Sequence, residues 1–245
     1  MTAAVAARPR STPAQYPGCA ECLTRVFSIC DFIGGSPLAP LAQEVRTVTA
    51  RRTLFRERDV LDSVPIICSG WALSAVMLSD GSRQILSFLL PGDFVSAALL
   101  FDPKPKCSVE AITNVTYRAF NRAELKDRIF GKPEMAEMLV NVWIEEKRRA
   151  DELIIDLGRR PAAERVARLI LRLVERLQKR GMAAGGSFEV EFPLRQHHIA
   201  DAVGLTPVHV NKLLTDLRRG GIIRLSERSL AVLDPVRLRA VASLR

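Results

Sequence analysis

The sequence predicts an α+β fold in three successive parts: an antiparallel β-roll, one long helix, and a helical unit ending in a winged helix-turn-helix. Three observations predict it. Between residues 53 and 120, short apolar or alternating stretches follow one another with turn signals between them. After Pro133 and as far as Leu157 there is neither glycine nor proline, and apolar residues recur at steps of four and three. Pro193–Arg224, PLRQHHIADAVGLTPVHVNKLLTDLRRGGIIR, reads as two short helices joined by a glycine turn and followed by a basic tail.

The roll is assigned to residues 41–130, after an arm at 1–40. Its expected strands are Thr53–Phe55, Val64–Cys68, Trp71–Leu78, Gln84–Leu90, Phe94–Leu99, Val109–Ile112 and Thr116–Phe120. Ser69–Gly70, Asp80–Gly81, Pro91–Gly92–Asp93 and Asp102–Lys106 supply the turns between them. Regular spacing of this kind suits a small antiparallel barrel or roll.

The long helix occupies 131–158, with Leu139, Trp143, Glu146, Ala150, Leu153 and Leu157 forming a heptad seam. One polar residue, Glu146, interrupts it; such a residue costs stability and can fix register, so pairing with a second copy is the natural reading. The alternative is that the stripe packs on the roll of its own chain. Gly158 is expected to break this helix and Pro161 to start another, with Val166, Leu169, Ile170, Leu173 and Leu177 facing inward and Gly185–Gly186 at its end.

The last unit, 159–245, carries the helix-turn-helix. Ile199, Ala202 and Val203 repeat at helical spacing, Gly204 makes the turn, and Thr206–Pro207 restart a helix as N-cap and first residue. That helix is expected to bury Val210, Leu213, Leu214 and Leu217, leaving Val208, His209, Asn211 and Lys212 on its outer face. A helix-turn-helix places such a face in the DNA major groove. Ile222–Leu225 and Leu230–Leu233, around Ser226–Ser229, form the expected wing.

Charge points the same way. Residues 1–158 carry 19 Lys+Arg against 19 Asp+Glu, whereas 159–245 carry 17 against 8, so the whole formal +9 lies in the last unit. A basic surplus concentrated on one compact segment is the footprint of a polyanion binder. With 245 residues, 48% hydrophobic, the chain can bury two modest cores, and no apolar run approaches a membrane span. No secretory h-region precedes the roll, so a cytoplasmic, reducing setting is expected for Cys19, Cys22, Cys30, Cys68 and Cys107.

Roll, long helix and winged helix-turn-helix in that order resemble the Crp/Fnr family of bacterial transcription regulators, on three stretches. These are SGWALSAVMLSDGSRQILSFLLPGDFVS, LGRRPAAERVARLILRL and the motif ending GLTPVHVNK. The resemblance implies a cyclic-nucleotide-binding-like roll (a double-stranded β-helix), a homodimer on a two-fold-symmetric DNA operator, and RNA polymerase as a partner. It carries base reading onto Val208, Asn211 and Lys212, and phosphate contact onto Arg195, Gln196 and His197, with Thr206 and His209 completing the face. Val208 and Lys212 depart from the family's usual glutamate and arginine, so the operator is expected to differ from the best-known consensus.

The same resemblance argues against cyclic AMP. Aligned on the family's nucleotide cassette, PGDFVSAALLF puts Ser96 at the usual glycine and Ala97 at the ribose-binding glutamate. Cys107, followed by Ser108, falls where the phosphate-binding arginine belongs, and Arg83 and Lys106 read as solvated turn residues. Cys19-x2-Cys22-x7-Cys30 instead resembles the sensor arm of the fumarate–nitrate reduction branch, which implies a [4Fe–4S] cluster and oxygen response. The usual fourth ligand falls near Arg118, so Cys107 or Cys68 would serve; Cys68 reads as a small core residue. A zinc or thiol-redox site, or no cysteine function, are the other readings.

An enzyme is not expected. His197, His198 and His209 all lie in the DNA-reading segment, which leaves no base near a cysteine nucleophile. Glu145 and Glu146 sit among Lys147, Arg148 and Arg149 as a charged helix surface. An adaptor whose roll binds another protein, with secondary DNA contacts, is the remaining class.

Overall fold

The computed structural model describes residues 43–182 and 189–243. The arm with Cys19, Cys22 and Cys30 lies outside the described residues, as does Gly185–Gly186. Seven strands build the roll: β1 Gln43–Val48, β2 Thr53–Phe55, β3 Ser63–Ser69, β4 Ala72–Met77, β5 Arg83–Leu89, β6 Ser108–Ala111 and β7 Val115–Asn121. They form two antiparallel sheets ordered β1-β7-β3 and β2-β6-β4-β5. Between the sheets lie Phe55, Ile66, Leu99, Val109, Tyr117 and Phe120, with the Phe55 and Tyr117 rings edge to face at 5.4 Å.

Three differences from the sequence expectation appear here. Phe94–Leu99 is not a strand: Phe94 makes one bridge to Ile66, and Ala97–Leu100 closes into a 3-10 turn. Its apolar run is core-facing on a tight turn, because Ala97, Leu99 and Leu100 are all buried. β1 was hidden because Glu44 and Arg46 break its apolar alternation along the edge of its sheet. Helix α1, Arg122–Phe130, escaped notice because only Leu125 and Ile129 of its residues are buried.

Helix α2 spans Pro133–Arg159. It runs through Gly158 and stops because Pro161 forces Arg160 into extended backbone, at φ −92 and ψ 144. The expected seam splits by contact. Leu139 is buried in the roll core, Trp143 packs beside Phe101 at 5.4 Å, and Glu146 reaches the backbone of Ala97. The first half of the seam therefore packs on its own roll, while Ala150 is exposed and Leu153 and Leu157 are partly so. A separate stripe stands bare: Val140 at 48% exposure, Ile144 at 60%, Ile154 at 69% and Ile155 at 49%.

Helix α3, Ala162–Lys179, buries Val166, Leu169, Ile170, Leu173 and Leu177 as its amphipathic pattern predicts. It leads to β8 Glu189–Glu191, α4 Gln196–Val203, α5 Pro207–Arg219, β9 Ile223–Leu225, β10 Ser229–Val232 and α6 Pro235–Val241. The wing is three-stranded, ordered β8-β10-β9, because β8 adds to the expected hairpin. The described residues form two cores, but their boundary is not the domain boundary. Trp71, Leu73, Ile85 and Phe88 of the roll share one cluster with α3, α4 and α5, and Trp71 meets Phe192 at 6.3 Å.

Candidate nucleic-acid interface

Local rules set the two motif helices. Gly204 ends α4 in the left-handed region at φ +64, where a side chain would be strained. Arg165 reaches across from α3 to donate to the Val203 carbonyl at 2.8 Å, supplying a partner at that helix end. Thr206 caps α5, its hydroxyl accepting from the His209 backbone at 3.2 Å, and Pro207 follows as first residue. Val210, Leu214 and Leu217 are buried and Leu213 is partly so.

What remains outward is the predicted face. Thr206, Val208, His209, Asn211 and Lys212 are all exposed, Val208 at 81%. Arg195, Gln196 and His197 are exposed at the start of α4. The two groups meet, because Gln196 Nε2 donates to Asn211 Oδ1 at 2.9 Å. An exposed valine on an otherwise polar face is suited to contact a thymine methyl, and Lys212 can donate to guanine acceptors. Sequence reasoning left out Arg218 and Arg219, exposed in the last turn of α5, and Arg224 and Arg228 on the wing. The wing arginines pair with Glu189 at 3.5 Å and Glu191 at 2.7 Å, so they offer less free charge than their number implies.

The histidines divide. His198 is buried, and its Nδ1 accepts from the Arg195 backbone at 3.1 Å. Burial first, then the adjacent His197 and the cations Arg83 and Arg195, push it down to about 3, so it stays neutral and holds the helix start. His197 lies beside it, ring centroids 4.0 Å apart and planes tilted by 56°, and faces solvent.

Much of the basic surplus is spent inside the molecule. Asp156, buried at the end of α2, pairs with Arg160 at 3.1 Å, Arg168 at 2.9 Å and Arg172 at 2.6 Å. Asp93, buried in the Pro91–Gly92–Asp93 turn of the roll, pairs with Arg176 at 2.6 Å and Arg180 at 2.5 Å. Arg83 is likewise no solvated turn residue. Its guanidinium bridges Asp201 of α4 at 2.8 Å and Glu110 of β6 at 3.0 Å, tying roll to helix-turn-helix. Lys106 is 80% exposed and pairs with Asp102, as a turn residue would.

A cavity of about 670 Å³ lies between the cassette turn and α2, lined among others by Ser74, Ser96, Cys107, Glu146 and Arg149. Into it the Glu146 carboxylate projects, accepting from the Ala97 backbone at 3.4 Å. Burial raises this carboxyl above its ordinary value, against the lowering effect of that N–H and of Arg149. Cys107 is half-buried, and burial also raises its thiol. Among the described residues, no group of three or more His, Cys, Asp or Glu is placed to hold a metal ion. No described helix is long and apolar enough to cross a membrane.

Known proteins share this layout. Residues 164–241 match the model of the Crp-like helix-turn-helix domain, and 45–130 that of the cyclic nucleotide-binding domain. The chain belongs to the Crp/Fnr family of transcription regulators. Among these DNA-binding regulators it is 32% identical over 227 residues to the nitrogen fixation regulation protein FixK of Bradyrhizobium diazoefficiens, covering 92% of this chain and 94% of that one. It is also 32% identical over 206 residues to the CRP-like cAMP-activated global transcriptional regulator of Mycobacterium tuberculosis, covering 83% and 91%. The solved structure of FixK2 from Bradyrhizobium japonicum superposes with a TM-score of 0.73 at 28% identity, over 82% of this chain and 98% of that one.

Proposed function

We propose that the chain acts as a homodimer that reads a two-fold-symmetric operator through Val208, Asn211 and Lys212, with Arg195, Gln196 and His197 on phosphate. The observation that carries this is the unbroken exposed row on α5, joined through Gln196 to the start of α4. The bare stripe of α2 supplies the pairing surface. Val140, Ile144, Lys147, Asp151 and Ile154 follow steps of four and three, and Lys147 pairs with Asp151 in the middle. Two recognition helices related by that axis would meet half-sites one DNA turn apart. Selection of operators from a random library tests this: a palindromic motif is expected, and recovery of no symmetric sequence would end the reading. RNA polymerase is the partner this role implies.

The roll, in this reading, works without cyclic AMP. Ala97 and Cys107 bring neither the ribose carboxylate nor the phosphate cation, and Glu146 places the chain's own anion on the Ala97 N–H. A cyclic phosphate entering there would face that carboxylate unscreened by an arginine of the cassette. Calorimetry should register no saturable uptake of cyclic AMP at micromolar concentration. Uptake with a matching gain in operator affinity would favour the second reading, cyclic AMP activation, as the name of the mycobacterial relative describes for that protein.

A [4Fe–4S] cluster on Cys19, Cys22 and Cys30 rests on cysteine spacing. Cys107, half-buried in the cassette cavity, is the fourth ligand in this reading, its thiol deprotonated by the metal it binds. Serine at Cys19, Cys22 or Cys30 should remove iron and sulfide from anaerobically reconstituted protein, and Cys107→Ser should weaken their retention. Colourless, iron-free protein would end the cluster reading and leave DNA binding untouched.

A further inference from the structure

A second cavity, about 570 Å³, opens between β5, α2 and α3, away from the recognition face; it adjoins the cassette cavity, with which it shares Arg149 and Arg180, and adds Lys179 and the arginines of α3. Seven cationic side chains line it against three carboxylates, and counting the buried Asp93 and Asp156 behind them still leaves a surplus of two positive charges. Those aspartates occupy Arg168, Arg172, Arg176 and Arg180. Lys179 makes no ion pair among the described residues, and Arg149 has only Glu145, at 3.7 Å. The cations crowd one another. Burial first, and then Arg149 and Arg180, bring Arg176 down to about 10 against the pull of Asp93. The floor is apolar, from Ile85, Phe88, Leu169 and Leu173. The size is that of a small-molecule pocket, and an apolar floor beneath a cationic wall suits a ligand with a flat ring at one end and several negative charges at the other.

We infer that this cleft binds a small phosphorylated metabolite of the nucleoside polyphosphate class, with Lys179 and Arg149 holding phosphate and the ring on the apolar floor. The cleft is walled by the roll, the long helix and the DNA-binding unit together. A ligand there favours the docked arrangement of those parts over any other, so it and the operator alter each other's affinity by one common factor. The α2 residues Glu145, Arg149 and Glu152 that line the cleft lie on a different face of the helix from Ile144 and Ile154 of the bare stripe. The site stands independently of which bases α5 reads.

The test is calorimetry on the full chain with ATP and with inorganic tripolyphosphate, both without magnesium. One ATP per chain is expected, bound more tightly than tripolyphosphate, and weakened about tenfold by Lys179→Ala and by Arg149→Ala, the loss of one charge-assisted contact each. Because neither side chain forms an ion pair with a buried carboxylate, both variants should keep the parent circular dichroism and stay within about 2 °C of its melting temperature. Equal affinity for the two probes would overturn the assignment of the floor to a ring. Absence of saturable binding would overturn the site, as would binding that survives both variants. Binding lost on Lys212→Ala would overturn it too, by placing the anion on the DNA face.

Discussion

Asp93→Asn isolates the joint between the roll and the DNA-binding unit. The carboxylate is 8% exposed; Oδ2 accepts from the Leu90 backbone at 2.7 Å and from Arg176 at 2.6 Å, while Oδ1 accepts from Arg180 at 2.5 Å. Asparagine keeps the shape and the turn acceptor but removes the charge, leaving two guanidinium groups whose other partners are the neutral carbonyls of Phe88 and Pro91. Breaking a buried pair in this way costs about 3–5 kcal/mol. With arginine side chains 17% and 15% exposed, solvent screens part of the loss, and the low end, about 3 kcal/mol, is expected. Over a urea slope of about 3 kcal/mol per molar, the midpoint should fall by about 1 M. A cycle with Arg180→Met separates the pair from the rest of the network and should return a coupling of about 1–3 kcal/mol. A fall under about 0.5 kcal/mol, the value for a surface change, would refute the reasoning and make the joint an exposed contact.

Lys212→Ala should relax preference at one base pair per half-site at a cost of about 1–3 kcal/mol, whereas Arg195→Ala should weaken all DNA alike and flatten the salt dependence; titrations on matched and scrambled operators separate the two. Because His198 is held near 3 when folded and the ordinary value is about 6.5, stability is complete above pH 6.5 and is lost as pH falls below it, by at most about 2 kcal/mol at pH 5 and about 1 after solvent screening. His198→Gln, which keeps an acceptor at the third helical position, should remove that slope in urea melts at pH 5 and 7; an unchanged slope would assign it to other groups. Gly204→Ala should destabilise by about 1–2 kcal/mol, since φ is +64 and the new Cβ would lie 3.1 Å from Leu157; a thermal midpoint at or above the parent's would contradict that geometry.

Period and punctuation alone determined the order of parts. Alternating stretches with turn residues marked the roll, and the Gly204 and Thr206–Pro207 signals placed both motif helices and the face of α5, because a turn glycine and a helix cap act within a few residues. Where contact is made across the chain, sequence was silent. The heptad seam of α2 has the same period whether it meets a second copy or its own roll, and only the fold put Leu139, Trp143 and Glu146 against the roll and left Val140, Ile144 and Ile154 bare. Charge behaved likewise. A count places the surplus in the last 87 residues, but charge has no direction along a chain. The folding of α3 onto the Asp93 turn and beside Asp156 decided which arginines are internal counter-ions and which stay exposed. The cassette substitutions were legible residue by residue, whereas the carboxylate reaching the Ala97 N–H comes from 49 positions away, a distance that local sequence rules do not span and tertiary packing does.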